Sequence, residues 1–136
     1  MLRGILPDAN CEGHFAVVLR VLHDEERRVF WHYLNLAVPT FQDLGLAADA
    51  SDRILWEQCQ QQEVILITAN RNAKGADSLE ATIRSSNTPG SLPVLTLGNV
   101  ERIRRDRQYA ADVADCLLDY LFSIDDFRGA GRLFLP

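Results

Sequence analysis

The run VILIT, residues 64–68, constrains the fold of this chain more than any other stretch. Its residues are all apolar or β-branched, with no polar alternation, so a strand built from them presents neither face to water. Strands of that kind belong to parallel sheets covered on both sides by helices. The flanking pattern agrees. RGILPD (3–8) reads as a short strand ending at Pro7 or Asp8, LPVLTL (92–97) as a third apolar strand, and RGAGRLFLP as a Gly-rich turn with an edge strand. Helical spacing fills the gaps. Phe15, Val18, Leu19 and Leu22 form one stripe. A second helix over 29–36 turns Phe30, Tyr33, Leu34 and Ala37 inward and closes at Pro39, with VPTF as a brief strand. Ser51 caps a helix carrying Ile54, Leu55, Gln58 and Cys59. DSLE (77–80) reads as a capping box, with Asp77 as cap and Glu80 at the third helical position. Two further helices, 99–106 and 109–122, follow the third strand, the second placing Tyr109, Val113, Leu117 and Tyr120 inward. The expectation is a three-layer α/β/α sandwich with a mainly parallel central sheet, in one domain over 1–136.

Composition narrows the classes. The 136 residues suit one domain, and 47% apolar with 24% charged residues is an ordinary globular balance, not a disordered or fibrous one. No apolar stretch is long enough for a bilayer, and MLRGILPDAN lacks the pattern of a secretion signal, so the expected location is cytoplasmic, with no membrane partner. Cys11, Cys59 and Cys116 are widely spaced and form no Cys-x-x-Cys pair, which disfavours zinc-ribbon and thioredoxin-type sites and leaves buried thiols as the plain reading. His14, His23 and His32 form no ligand motif either; His14, nearest Asp8, is the first of them to consider. A net charge of −5 excludes bulk attraction to nucleic acid. Local charge differs: of 14 basic residues all but Lys74 are arginine, and ERIRRDRQY (101–109) concentrates Arg102, Arg104, Arg105 and Arg107. That segment is either a phosphate-binding row or a solvated helix end.

Ligands of parallel α/β sheets gather outside the carboxyl ends of the strands. Asp8 and Asn10 follow the first strand, and Thr68, Asn70, Arg71 and Asn72 follow VILIT. Asp52 and Asp77 lie near helix starts that can open on the same crevice. Carboxylates converging on one point repel, and a divalent cation such as Mg²⁺ or Mn²⁺ resolves the conflict with oxygen ligands and water. Each acid also has a local explanation: Asp52 in a first helical turn favours the helix dipole, and Asp77 serves as a cap.

Taken in order, ILPDAN, GLAADASD and SDRILWEQCQQQEVILITANRN resemble the PIN-like nuclease superfamily, in particular the compact branch related to DUF5615 and Mut7-C domains, over roughly residues 3–97. The resemblance implies a metal-dependent endoribonuclease, often of toxin–antitoxin type, with RNA as substrate, an antitoxin-like protein as partner and a homodimer as a common assembly. It implies Mg²⁺ or Mn²⁺ held by Asp8, Asp52, Asn70 and Asp77, and catalysis by Asp8, Asp52 and Asp77. Asn10, Arg53, Thr68, Arg71, Asn72 and Lys74 would bind substrate. The chain departs from the family at Asn70, where the pattern usually has aspartate; an amide ligates a metal but brings no charge and is no base. Either Asp77, with or without Glu80, fills the gap from the next helix, or the site binds metal weakly and catalysis is lost. The alternative is a catalytically inactive PIN-like module that binds RNA or a protein. A phosphoacceptor receiver domain is a third reading, disfavoured because Asp52 starts a helix and no lysine follows PVLTL.

Overall fold

The computed structural model describes residues 1–69, 75 and 78–136. Four strands, β1 (Gly4–Pro7), β2 (Val64–Thr68), β3 (Val94–Thr96) and β4 (Arg132–Phe134), form one sheet in the order β1-β2-β3-β4. Every pairing is parallel, with Ile5 opposite Ile65, Leu6 opposite Leu66 and Ile67 opposite Leu95. The VILIT strand is central and buried along its whole length. Its alternate side chains feed two separate cores. Ile65 and Ile67 join Ile5 and Leu95 beneath α1 (Glu12–Leu22), α5 (Val100–Arg105) and α6 (Arg107–Phe122). Val64 and Leu66 join Leu6 and Val94 beneath α3 (Asp52–Gln61) and α4 (Leu79–Ser86). An uninterrupted apolar strand is therefore what a two-sided sheet requires, and the α/β/α sandwich results from it.

The short helix α2 (Arg28–Leu34) departs from its sequence pattern. Trp31 is its buried residue, whereas Phe30 and Tyr33 are 51% and 80% exposed. The helix stops early, at Asn35 in the left-handed conformation. It packs on α6, where Arg27, just before the helix, donates to Asp115 across 2.7 Å, and its Trp31 ring meets His23 at the end of α1. With so little surface to cover, one large ring fills the contact. Phe30 and Tyr33 instead meet the ring of Phe122 on the outside. The brief strand expected at VPTF reduces to a single parallel bridge one residue earlier, between Ala37 and Gly4. That bridge needs glycine: a Cβ at position 4 would stand 2.6 Å from the Ala37 carbonyl oxygen.

The bridge defines the winding. β1 pairs with β2 on one side and with Ala37 on the other. From β1 the chain runs through α1 on one face to Ala37, then returns through α3 on the opposite face to β2. The direction of progress thus reverses between β1 and β2. The last connection, α5–α6, comes back over the α1 face although α4 had crossed on the other, so these two crossovers have opposite hands. This return lays the arginine-rich segment against α1. Among the described residues no helix is long and apolar enough to cross a membrane.

Candidate active site at the carboxyl edge of the sheet

A reversal of strand order opens a crevice outside the carboxyl ends of the two strands that flank it, because the connecting helices depart to opposite faces. Those two strands are β1 and β2, and the residues at their ends are Asp8 and Thr68.

Asp8 is held from both backbone and side chain. Its N–H donates to the Ile67 carbonyl at 2.9 Å, extending the β1–β2 ladder past Pro7, and its Oδ2 accepts from Thr68 Oγ1 at 2.9 Å. Thr68 is fully buried. A hydroxyl at the end of an otherwise apolar strand thus fixes the half-buried carboxylate's orientation. Among the described residues no arginine, lysine or histidine lies within ion-pair distance of Asp8. Its charge is felt in both layers. Burial first, and the Asp8 charge second, push the Cys11 thiol up to about 12, and the same causes in the same order push Cys59 up to about 12. Cys11 packs in the α1 core and Cys59 in the α3 core. Both are neutral thiols at physiological pH and not nucleophiles.

Asp52 opens α3, and its Oδ2 accepts from the Leu79 N–H, the first of α4, at 3.1 Å. One carboxylate therefore joins the amino ends of two helices at the carboxyl edge of the sheet, where both helix dipoles favour it. Ser51 caps α3 by accepting from Ile54 N–H, as expected. For α4 the cap is Ser78, which accepts from Ala81 N–H at 3.2 Å, one residue after the cap that the sequence pattern suggests. The shift by one residue moves Glu80 from the third helical position to the second. There it accepts from Arg132 Nε at 2.8 Å, while Arg132 Nη1 donates to Thr96 Oγ1 at 2.6 Å. Glu80 is thereby neutralised as a tie between α4 and β4, which corrects the expectation that it supports the acidic site.

Of the remaining candidates, Asn10 is exposed in the 3-10 turn Ala9–Cys11, and Arg53 stands 3.8 Å from Glu57 on its own helix. Asn70, Arg71, Asn72, Lys74 and Asp77 lie outside the described residues. Sequence reasoning places Thr68 among substrate-binding residues; the structure gives it the role of orienting Asp8. It does not reveal the tie from Asp52 to α4, because no local pattern links residues 27 positions apart.

Carboxylate oxygen is the donor type that Mg²⁺ and Mn²⁺ prefer, and Mg²⁺ commonly uses one or two carboxylates and keeps several waters. Asp8, oriented and without a cationic partner among the described residues, fits as an anchoring ligand of that kind. Among the described residues no three acids, histidines or cysteines gather closely enough to enclose an ion by themselves. Comparison with protein-family models, with curated proteins and with solved structures returns no match. Fold and site together define an α/β protein with an oriented, half-buried carboxylate at its topological switch point.

Proposed function

We propose that this chain is a metal-dependent endoribonuclease of PIN-like type, hydrolysing RNA phosphodiester bonds at the crevice between β1 and β2. The observation that carries the reading is Asp8: a half-buried carboxylate, oriented by a buried threonine at the switch point, without a compensating cation among the described residues. Leaving such a charge uncompensated is costly, and a bound divalent ion removes the cost. Asp8 would anchor the ion, and Asp52, at the paired helix starts, would face the same edge. When bound, Mg²⁺ or Mn²⁺ acidifies water and offsets charge on the phosphodiester. Thr68 keeps one Asp8 oxygen engaged, which fixes where the other points. Hydrolysis then adds water across one P–O bond and releases a hydroxyl end and a phosphate monoester end. Partners of antitoxin type belong to the same proposal.

The test is cleavage of a fluorescent single-stranded RNA with Mn²⁺ and with EDTA, using native protein and Asp8→Asn. Cleavage that needs the metal and falls about a hundredfold or more in Asp8→Asn supports the reading. Equal rates in the two proteins contradict it.

A second reading, an inactive module that binds RNA or protein, is favoured by one observation: Asp52 Oδ2 is already used by the Leu79 N–H, as a purely structural residue would be. RNA binding by native protein with no cleavage under any divalent ion selects this reading.

A further inference from the structure

A groove of about 410 Å³ lies between α1 and the corner where α5 meets α6. Its rim carries Arg20, Arg104, Arg105 and Arg107, and Val17 and Val21 line its floor. We propose that this groove binds the phosphate backbone of a single-stranded nucleic acid, leading it toward the crevice at Asp8. The choice of RNA rests on the proposed function; the groove itself does not depend on catalysis.

The distribution of charge supports the assignment. Within the arginine-rich segment, Arg102 is already used: it pairs with Asp106 at 3.2 Å and lies over the Tyr109 ring at 4.6 Å. Arg105 stands 3.8 Å from Glu101 with both groups exposed, a contact of little energetic weight. Arg20, Arg104 and Arg107 have no carboxylate within ion-pair distance among the described residues. These cations come from three different helices, so no single solvated helix face explains their meeting. In a protein of net charge −5, gathering unpaired like charge around one concavity costs repulsion that an anion relieves. Position adds to this. The Arg104 guanidinium occupies the space beside Gly13, in the first turn of α1, where any side chain would displace it. That turn follows Asp8 in the chain through Ala9–Cys11, so Arg104 reaches from the groove toward the end of α1 that comes after Asp8.

The apolar requirements of other occupants are met elsewhere. The exposed Val29, Phe30, Tyr33 and Phe122 lie on α2 and the far end of α6, away from these arginines. A membrane or a folded protein needs such anchors at the contact, and a phosphate backbone does not. Planar guanidinium groups suit phosphate oxygens, and the residues that line the groove include no aromatic ring to stack a base, so the contacts fall on the backbone, which carries no sequence information.

The experiment is fluorescence anisotropy of a fluorescein-labelled 20-nucleotide oligouridine, titrated in EDTA across a salt series. The proteins are native, Arg104→Ala/Arg107→Ala, Arg104→Lys/Arg107→Lys and, as a control on α4, Arg84→Ala. The double alanine variant should bind about tenfold more weakly and lose about 1.4 from the slope of log Kd against log salt, two phosphate contacts at ~0.7 each. The double lysine variant, which retains charge, should keep the native slope. Unchanged affinity in the double alanine variant, or an equal loss in Arg84→Ala, overturns the proposal. So does a loss confined to binding of phosphatidylglycerol vesicles, which would identify a membrane surface instead. If RNA binds as described but is never cleaved, the carboxylate reading fails and the groove stands.

Discussion

At the scale of single residues, the site depends on how Asp8 is held. Its position is legible in the sequence, because an apolar run closed by Pro-Asp and followed by helical spacing is a strand end at the rim of a parallel sheet. Its partner is not. Thr68 is 60 positions away, and only the pairing of Pro7 with Ile67 brings its hydroxyl to the carboxylate. Thr68→Val keeps the shape and removes the donor, so it should cost about 1.5–3 kcal/mol, the range for a hydrogen bond to a charged group, read from urea unfolding at pH 7. The thiols give a pH signature. Cys11 and Cys59 rise from the ordinary value of 9.0 to about 12 in the folded protein, so between these values the unfolded chain has lost protons that the native state retains. Stability contributed by the two neutral thiols is complete below pH 9 and declines as pH rises toward 12. Each thiol should add about 1.4 kcal/mol per pH unit to the alkaline slope. In Cys11→Ala/Cys59→Ala the protein starts less stable because of the cavities, but its slope between about pH 9.5 and 10.5 should be flatter by about twice that amount. An unchanged slope would show that the thiols are not buried as described.

At the scale of elements, most boundaries derive from local chemistry. Ser51, Asn99 and Asp106 each accept from an N–H three residues on, and each marks a helix start near where the sequence pattern places one. The failures are instructive. DSLE matches a capping box in letters, yet Ser78 takes the cap and leaves Glu80 to Arg132, a residue from the last strand. A short-range motif cannot foresee a long-range ion pair. Helix α2 fails for the same reason: its buried face is set by distant neighbours, with Trp31 against His23 at the end of α1 and the exposed Phe30 and Tyr33 meeting Phe122 of α6. The element-level prediction concerns α4, whose amino end is served twice, by Ser78 from within and by Asp52 from α3. Ser78→Ala and Asp52→Ala should each lower stability by about 1 kcal/mol. Asp52→Asn, which keeps an acceptor oxygen, should recover most of its share. If Asp52→Asn abolishes RNA cleavage while keeping its melting temperature, the residue works for the site as well as for the helix. Gly4→Ala tests the bridge that creates the switch point. The collision with the Ala37 carbonyl is with backbone, which has no rotamer to escape into, so a loss of about 1–3 kcal/mol is expected in thermal or urea unfolding.

At the scale of the whole molecule, one strand without polar alternation determines most of the architecture. Covered on both faces, it requires helices on both sides; helices on both sides place every strand's carboxyl end along one edge; and the change of direction at β1 selects where on that edge a ligand is met. The layers are readable in advance, while the switch point is not: VPTF suggests a brief strand nearby, but only the fold shows that a single bridge at Ala37 pairs with Gly4 on the outer side of β1. The same winding that opens the crevice between β1 and β2 brings α5 and α6 back over α1 and gathers the arginines beside it. The most direct test of the central claim is calorimetric titration of Mn²⁺ at low salt into native protein and into Asp8→Asn, with melting temperature followed in parallel. Saturable binding by the native protein, with stabilisation of about 2.7 kcal/mol at a hundredfold excess over Kd and loss of both signals in Asp8→Asn, is the predicted result. Identical titrations for the two proteins, whether both bind or neither does, would contradict a divalent ion at Asp8.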